Sequence, residues 1–353
     1  MTVDVAIVGT GQTPMRRRAP ESEMHMVFDV TQAAMNEAGV TRDDIGFTVS
    51  GSCDLLSGQS FAFVSTIEGV GAWPPISESH VEMDGAWALY EGWTKLQEGE
   101  VDVVLVYCHG RMSAGRPWEY LPLQLDPYTL TPLGLDPGAL AALQARQLID
   151  RGIATERDFA EVVARDRANA ANNPNAQVSG TFDVDELLKA PYVREPLRLH
   201  DYCTISDGAA SVVLAAGEKA SQLSDRPAWI TGIDHRVDIH QPGMRDLTES
   251  PSAAIAAKEA GAGDRPIEVA EITASFSPQD IVLRRAMGLG DDVEMNPSGG
   301  ALGANPLMVA GLVRVIEAAN QVRRSGRHRT LAHATGGQAL QQNLVAVLED
   351  SRS

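Results

Sequence analysis

Near its start the chain reads "VAIVGTG" (Val5–Gly11), a β-branched apolar run closed by glycines, and this pattern predicts a buried strand. "MVFDVTQAAMNEAG" (Met26–Gly39) follows. Its apolar positions recur at helical spacing, and its last residue is a glycine that can stop a helix. "DVVLVY" (Asp102–Tyr107) and "GAASVVLAAG" (Gly208–Gly217) read as further strands, and "AWITGID" (Ala228–Asp234) opens another unit. Strand and helix signals alternate, so the pattern predicts an α/β architecture.

The pattern also repeats. "NEAGVTRDDI" (Asn36–Ile45) matches "KEAGAGDRPI" (Lys258–Ile267), each closing a predicted helix before a new strand. "WALYEGWTKLQEGEVDVVLVY" (Trp87–Tyr107) resembles "VAGLVRVIEAANQVRRSGRHRTLAHA" (Val309–Ala334) as helix, charged turn and strand. Two matches in one order predict two similar halves. The first is expected over 1–110, returning in a strand within 201–225, and the second over 226–353. Residues 111–200 lack strand alternation and are expected to form a loop-and-helix insertion over one face, where binding residues often lie. Its apolar, proline-rich part, Gly115–Leu140, suits either a tunnel lining or an oligomer interface.

Composition narrows the function classes. With 353 residues, 44% hydrophobic and 22% charged, the chain is too long for one core, which argues again for two packed halves. No apolar run approaches the ~20 residues of a membrane span, and no secretion or peroxisomal signal is visible. The net charge of −18 repels phosphate backbones, so nucleic acid is not an expected partner. Cys53, Cys108 and Cys203 are too scattered for a disulfide scaffold or a zinc site, and a reducing cytoplasm is expected, with no metal. Arg16–Arg18 is either a solvated patch or a site for nucleotide or coenzyme A phosphates.

Seven motifs, in order over nearly the whole chain, resemble the thiolase superfamily, in its sterol-carrier-protein-X and lipid-transfer branch. They are "VAIVGTGQTP", "SGSCDLLSGQSF", "VEMDGAWAL", "LRLHDYCTISDGAASVVL", "VAEITASFSPQD", "NPSGGALGANP" and "TLAHATGGQAL". The resemblance implies a five-layered α-β-α-β-α thiolase fold from two similar halves, assembled as a homodimer or heteromer. A thiolase of that family uses a cysteine thiolate at a helix start and two histidines. Carried over residue by residue, the cysteine falls on Glu82. One histidine falls on Thr273, with Ala274 on the neighbouring aspartate, and the other falls on Asn305. The last glycine-rich loop keeps Gly336 and Gly337, followed by glutamines.

The resemblance therefore implies an acyl-coenzyme A protein acting without an acyl-cysteine. Asn305 is expected to polarise a thioester carbonyl as a neutral donor, stabilising an enolate. Glu82 or Asp84, near a helix start, is a candidate general base or a helix cap. His80 and His333 are candidate acid/base groups or structural histidines. Thr273 is expected to orient a group or hold water. Ser298, Gly299, Gly300, Ser275, Phe276, Gly336 and Gly337 are expected to bind substrate. The implied reaction is retro-aldol cleavage of a steroid-type β-hydroxyacyl-coenzyme A, with the thioester as substrate and no bound cofactor. Such relatives use a tyrosine as base, and none of the six tyrosines falls within the second-half loops. Another thiolase-like chain and a small zinc-ribbon/OB-fold protein are implied partners. The alternatives are a non-catalytic supporting subunit and an acetyl-coenzyme A acyltransferase-like lipid-transfer protein.

Overall fold

The computed structural model describes residues 3–58 and 60–352; Gln59, in the expected Ser-Gly-Gln turn, lies outside them. Ten strands form one sheet: β1 (Val5–Gln12), β2 (Phe47–Gly51), β3 (Glu78–Val81), β4 (Val103–Arg111), β5 (Asp207–Ala216), β6 (Ala228–Val237), β7 (Val269–Ile272), β8 (Glu294–Met295), β9 (Arg329–Gly336) and β10 (Gln342–Glu349). Their order is β8-β7-β9-β10-β6-β1-β5-β4-β2-β3. Each half has the same pattern. β3, β2 and β4 are parallel and β5 and β1 follow antiparallel. β8, β7 and β9 are parallel and β10 and β6 follow antiparallel. The halves join through β1 and β6, with Ala6 opposite Trp229 and Ile7 opposite Ala228.

The principal helices are α1 (Glu23–Ala38), α2 (Gly85–Gln97), α3 (Pro137–Asp150), α4 (Glu156–Asn169), α5 (Pro251–Glu259), α6 (Ser277–Met287) and α7 (Ala310–Arg323). α2 and α7 form a central layer, burying Leu89, Leu96, Leu312 and Ile316 against β-strand residues of both halves such as Val104, Leu214, Ala332 and Leu348. α1 covers the outer face of the first half through Val27, Ala34 and Ala38. α5 and α6 cover that of the second through Ala253, Ala256, Val282 and Leu283. The two halves of the sheet flank these central helices, so the layers are five, helix–sheet–helix–sheet–helix. Both sequence repeats land on equivalent elements: α1 into β2 with α5 into β7, and α2 into β4 with α7 into β9.

Two details differ from the expectation. The glycines of "VAIVGTG" do not end the strand, because β1 runs on to Gln12. They admit α1: a Cβ on Gly9 would lie 2.1 Å from the Ala34 carbonyl oxygen, and one on Gly11 2.2 Å from that of Val30. The insertion between β4 and β5 also contains a small hairpin, Tyr192–Arg194 with Leu197–Arg198, beside α3 and α4. Among the described residues no helix is long and apolar enough to cross a membrane.

Candidate functional site

The carboxyl ends of the parallel strands β2, β4, β7 and β9 open toward one place, the usual location of a site in such sheets. Two connected chambers lie there. The first, of about 310 Å³, is bordered by Cys53, Glu82, Asp84, Thr273, Asn305 and Gln341, among others. The second is more apolar and includes Trp118, Leu121, Phe276 and Leu340. Ser275, Asn305, Met308, Gly336 and Gly337 border both.

Asp84 caps α2, accepting from the Ala86 amide at 2.8 Å. The same carboxylate accepts from the Gly311 and Leu312 amides of α7 at 3.0 and 3.1 Å. It therefore bridges the starts of both central helices, where their dipoles favour negative charge. Burial pushes its pKa up while the three amides and Arg314 pull it back. Buried and held by three backbone amides, Asp84 serves as a cap rather than a base.

Glu82, two residues before that cap, is half exposed and has more freedom. Its Oε1 accepts from the Asp54 amide at 2.6 Å, and its Oε2 lies 3.3 Å from His80 Nε2. His80 Nδ1 is 2.9 Å from the Ser50 hydroxyl, and its ring stacks on Phe63 at 4.4 Å. His80 thus stands behind Glu82, outside the chamber walls, and orients the carboxylate.

Thr273 donates its hydroxyl to the His333 carbonyl at 3.0 Å, which anchors the loop after β7 to β9. The His333 side chain is fully buried within the sheet, 2.9 Å from Asn343 Oδ1, and burial drops its pKa to about 4. It is a neutral structural histidine beneath the site. Ser298, Gly299 and Gly300 also lie away from both chambers. Ser298 gives its amide and hydroxyl to Glu271 at 2.9 and 2.7 Å, and Arg314 completes the buried cluster, 2.9 Å from Glu271. Gly299, at φ 99°, packs so tightly that a Cβ would lie 2.5 Å from that of Ala170. This turn supports the Asn305 loop from behind.

Asn305 is 1% exposed. Its backbone amide donates to Ser206 Oγ at 3.1 Å and its Nδ2 to Cys203 Sγ at 3.2 Å, while Oδ1 is buried without a partner among the described residues. Phe276 and Tyr202 pack edge to face at 5.1 Å. Burial raises all three cysteine thiols: Cys53 upward, Cys108 far upward, and Cys203 to about 12. Gly85 has to be glycine, since a Cβ there would lie 2.4 Å from Cys108 Sγ.

Sequence reading missed a third cavity, of about 550 Å³, which shares Trp118 and Cys203 with the second chamber. Arg17, Arg167 and Arg194 line it. Arg194 is paired with Asp136 at the rim. Arg167 stacks over Phe182 at 5.0 Å, and its buried Nε has no partner among the described residues. Arg17 belongs to the arginine run read as either a solvated patch or a phosphate site; the other two are ordinary helix and hairpin residues. Tyr202 lines this cavity, and burial raises its phenol to about 12. It packs against the second-half loop, yet it lines neither of the first two chambers. Gln124 and His240 border the first chamber, and only the apolar Gly115–Leu140 stretch hinted at the former. Among the described residues no group of three His, Cys, Asp or Glu side chains is placed to hold a metal ion.

No family model matches the sequence. An acetyl-CoA acetyltransferase of Methanothermobacter thermautotrophicus is 26% identical over 367 residues, covering 95% of this chain and 94% of that one. A 17-hydroxy-3-oxo-4-pregnene-20-carboxyl-CoA lyase of Mycobacterium tuberculosis is 24% identical over 360 residues, covering 90% and 91%. Among solved structures, an Ltp2–ChsH2(DUF35) aldolase aligns with a TM-score of 0.83 at 22% identity, over 99% of this chain and 98% of that one.

Proposed function

From a chain that belongs to the thiolase superfamily, in its sterol-carrier and lipid-transfer branch, we propose a carbon–carbon lyase that cleaves a β-hydroxyacyl-coenzyme A by a retro-aldol reaction. One observation carries the reading: the Glu82 carboxylate and the Asn305 carboxamide border a single chamber whose nearby thiols are held protonated. Acyl transfer needs a thiolate, whereas retro-aldol cleavage needs a base and an oxyanion donor.

Glu82 takes the proton of the β-hydroxyl. The Cα–Cβ bond breaks as the oxygen's electrons form the new ketone. The bonding pair moves to Cα and the thioester oxygen as an enolate, which the Asn305 amide stabilises. Return of the proton to Cα gives the shortened acyl-coenzyme A. The apolar chamber around Trp118, Leu121 and Phe276, of about 130 Å³, takes the apolar part of the acyl group next to the reacting carbons, and a group of steroid size extends beyond it. The arginine cavity takes the coenzyme phosphates, with the thioester arm passing Trp118 and Cys203. Charge supports this placement, because Arg17 and Arg167 bring positive charge to one cavity of a chain whose net charge is −18. The two-component name of the aldolase neighbour supports a heteromeric assembly.

The test is a product assay by mass spectrometry. The protein, alone and with co-purifying chains, is incubated with a β-hydroxyacyl-coenzyme A bearing a tertiary hydroxyl. The expected products are a ketone and a shortened acyl-coenzyme A. Asn305→Ala and Glu82→Gln are each expected to slow turnover ~100-fold or more. No turnover in the assembled complex, or turnover indifferent to both substitutions, leaves the chain as a supporting subunit.

A further inference from the structure

The Asn305 side chain is buried with its hydrogen bonds poorly matched. Its nitrogen lies against sulfur, a weak acceptor, while its oxygen has no partner among the described residues. An unpaired buried carbonyl oxygen is costly. Burial keeps the Cys203 thiol protonated, so the sulfur carries a hydrogen that needs an acceptor. Cys203 is fixed on its other side by the second-half loop. Its backbone amide donates to the Ser275 carbonyl at 2.8 Å, and the Ser275 hydroxyl also reaches the sulfur. A half-turn of the carboxamide about its Cβ–Cγ bond gives the oxygen a donor and leaves the NH2 group without an acceptor until a substrate oxygen supplies one. The S–H then donates to Oδ1, and the NH2 group turns to where the unpartnered oxygen had been.

We propose that Cys203 is a positioning residue whose thiol donates to Asn305 Oδ1 and so holds the carboxamide with its NH2 group toward the substrate carbonyl. The inference rests on the retro-aldol reading and deepens it by naming what keeps Asn305 a donor. Without such an anchor the amide is free to present either end, and an oxygen facing a developing enolate repels it. Cys203 borders both the apolar chamber and the arginine cavity, so its thiol stands where the thioester arm crosses between them. The sulfur is thereby assigned a use other than nucleophilic attack.

Isotope-edited infrared spectroscopy separates the possibilities. The probe is a 13C-carbonyl acyl-coenzyme A without a β-hydroxyl, which binds and cannot be cleaved. In the parent and in Cys203→Ser, which keeps a donor, the bound carbonyl stretch shifts to lower frequency than in the free thioester. In Cys203→Ala most of that shift is lost while binding changes less than about threefold, and Asn305→Ala removes it. Turnover of the cleavable substrate follows the same split: Cys203→Ala lowers kcat ~10-fold at unchanged KM, and Cys203→Ser retains it. Cys203→Val, which fills the space without a donor, replaces the alanine variant if that one is unstable.

A full shift in Cys203→Ala that Asn305→Ala abolishes overturns the role of Cys203 and leaves the retro-aldol reading standing. No shift in the parent, no effect of Asn305→Ala, or no binding of the probe overturns the retro-aldol reading, and this inference with it.

Discussion

Asp84 holds two helix starts with one carboxylate, accepting three amides from α2 and α7. Its replacement by alanine strands those donors in the central layer. Asp84→Ala is expected to cost about 3 kcal/mol, and Asp84→Asn less, read from urea unfolding midpoints. Two buried histidines set a pH dependence. Burial pushes His109 and His333 each down to about 4 from 6.5. Between those values the unfolded chain binds protons that the folded chain refuses, so their effect is to lower stability as pH falls from 6.5 toward 4. Neither ring nitrogen of His109 has a partner among the described residues. His109→Phe is therefore expected to flatten the acid side of the stability profile by up to one proton. An unchanged slope in denaturation at stepped pH would refute this. These residues show how little a residue type says alone. His80, Glu82 and Asp84 are near neighbours in sequence, and only contacts distinguish a carboxylate orienter, a half-exposed chamber carboxylate and a buried helix cap.

At the scale of elements, the Asn305 loop is held from behind. Glu271 on β7 takes the Ser298 amide and hydroxyl, and Arg314 on α7 neutralises it. Removing one partner of a buried pair leaves the other uncompensated, so Glu271→Leu is expected to cost roughly 3–5 kcal/mol. It should also displace the loop, so that thioester binding falls along with stability in calorimetric titration. The glycines of β1 work at the same scale. Gly9→Ala drives a methyl into the Ala34 carbonyl, so α1 has to lift off the sheet. A loss of about 1–3 kcal/mol is expected, with hydrogen exchange quickening first in α1. "VAIVGTG" was legible as a strand, but not the closeness of the helix that explains its glycines.

Across the whole molecule, two chambers lie between two similarly built halves, with an arginine-lined cavity beside them. Recognition of the phosphates and of the thioester should then be separable. Arg167→Ala combined with Arg17→Ala is expected to raise KM for the acyl-coenzyme A about 10-fold. KM for the matching N-acetylcysteamine thioester, which lacks the phosphates, should not change. An equal effect on both thioesters would place the phosphates elsewhere. The parent's preference for the full coenzyme should also shrink as salt rises.

Local patterns in the sequence were enough for the α/β class, the duplicated order of elements and the insertion between β4 and β5. Apolar periodicity and glycine stops act over neighbouring residues, so they survive in one dimension. The loops bearing Glu82, Thr273, Asn305, Gly336 and Gly337 were legible because they are motif segments at the ends of strands. Only the tertiary structure separated the chamber residues Glu82 and Asn305 from His333, Ser298, Gly299 and Gly300, which lie behind the site. It alone brought Cys203 to Asn305, 102 residues apart, and Arg17 to Arg167 and Arg194. Pairings between distant segments depend on how the layers stack, and burial, which decides whether a thiol, carboxyl or imidazole carries charge, exists only once they have stacked.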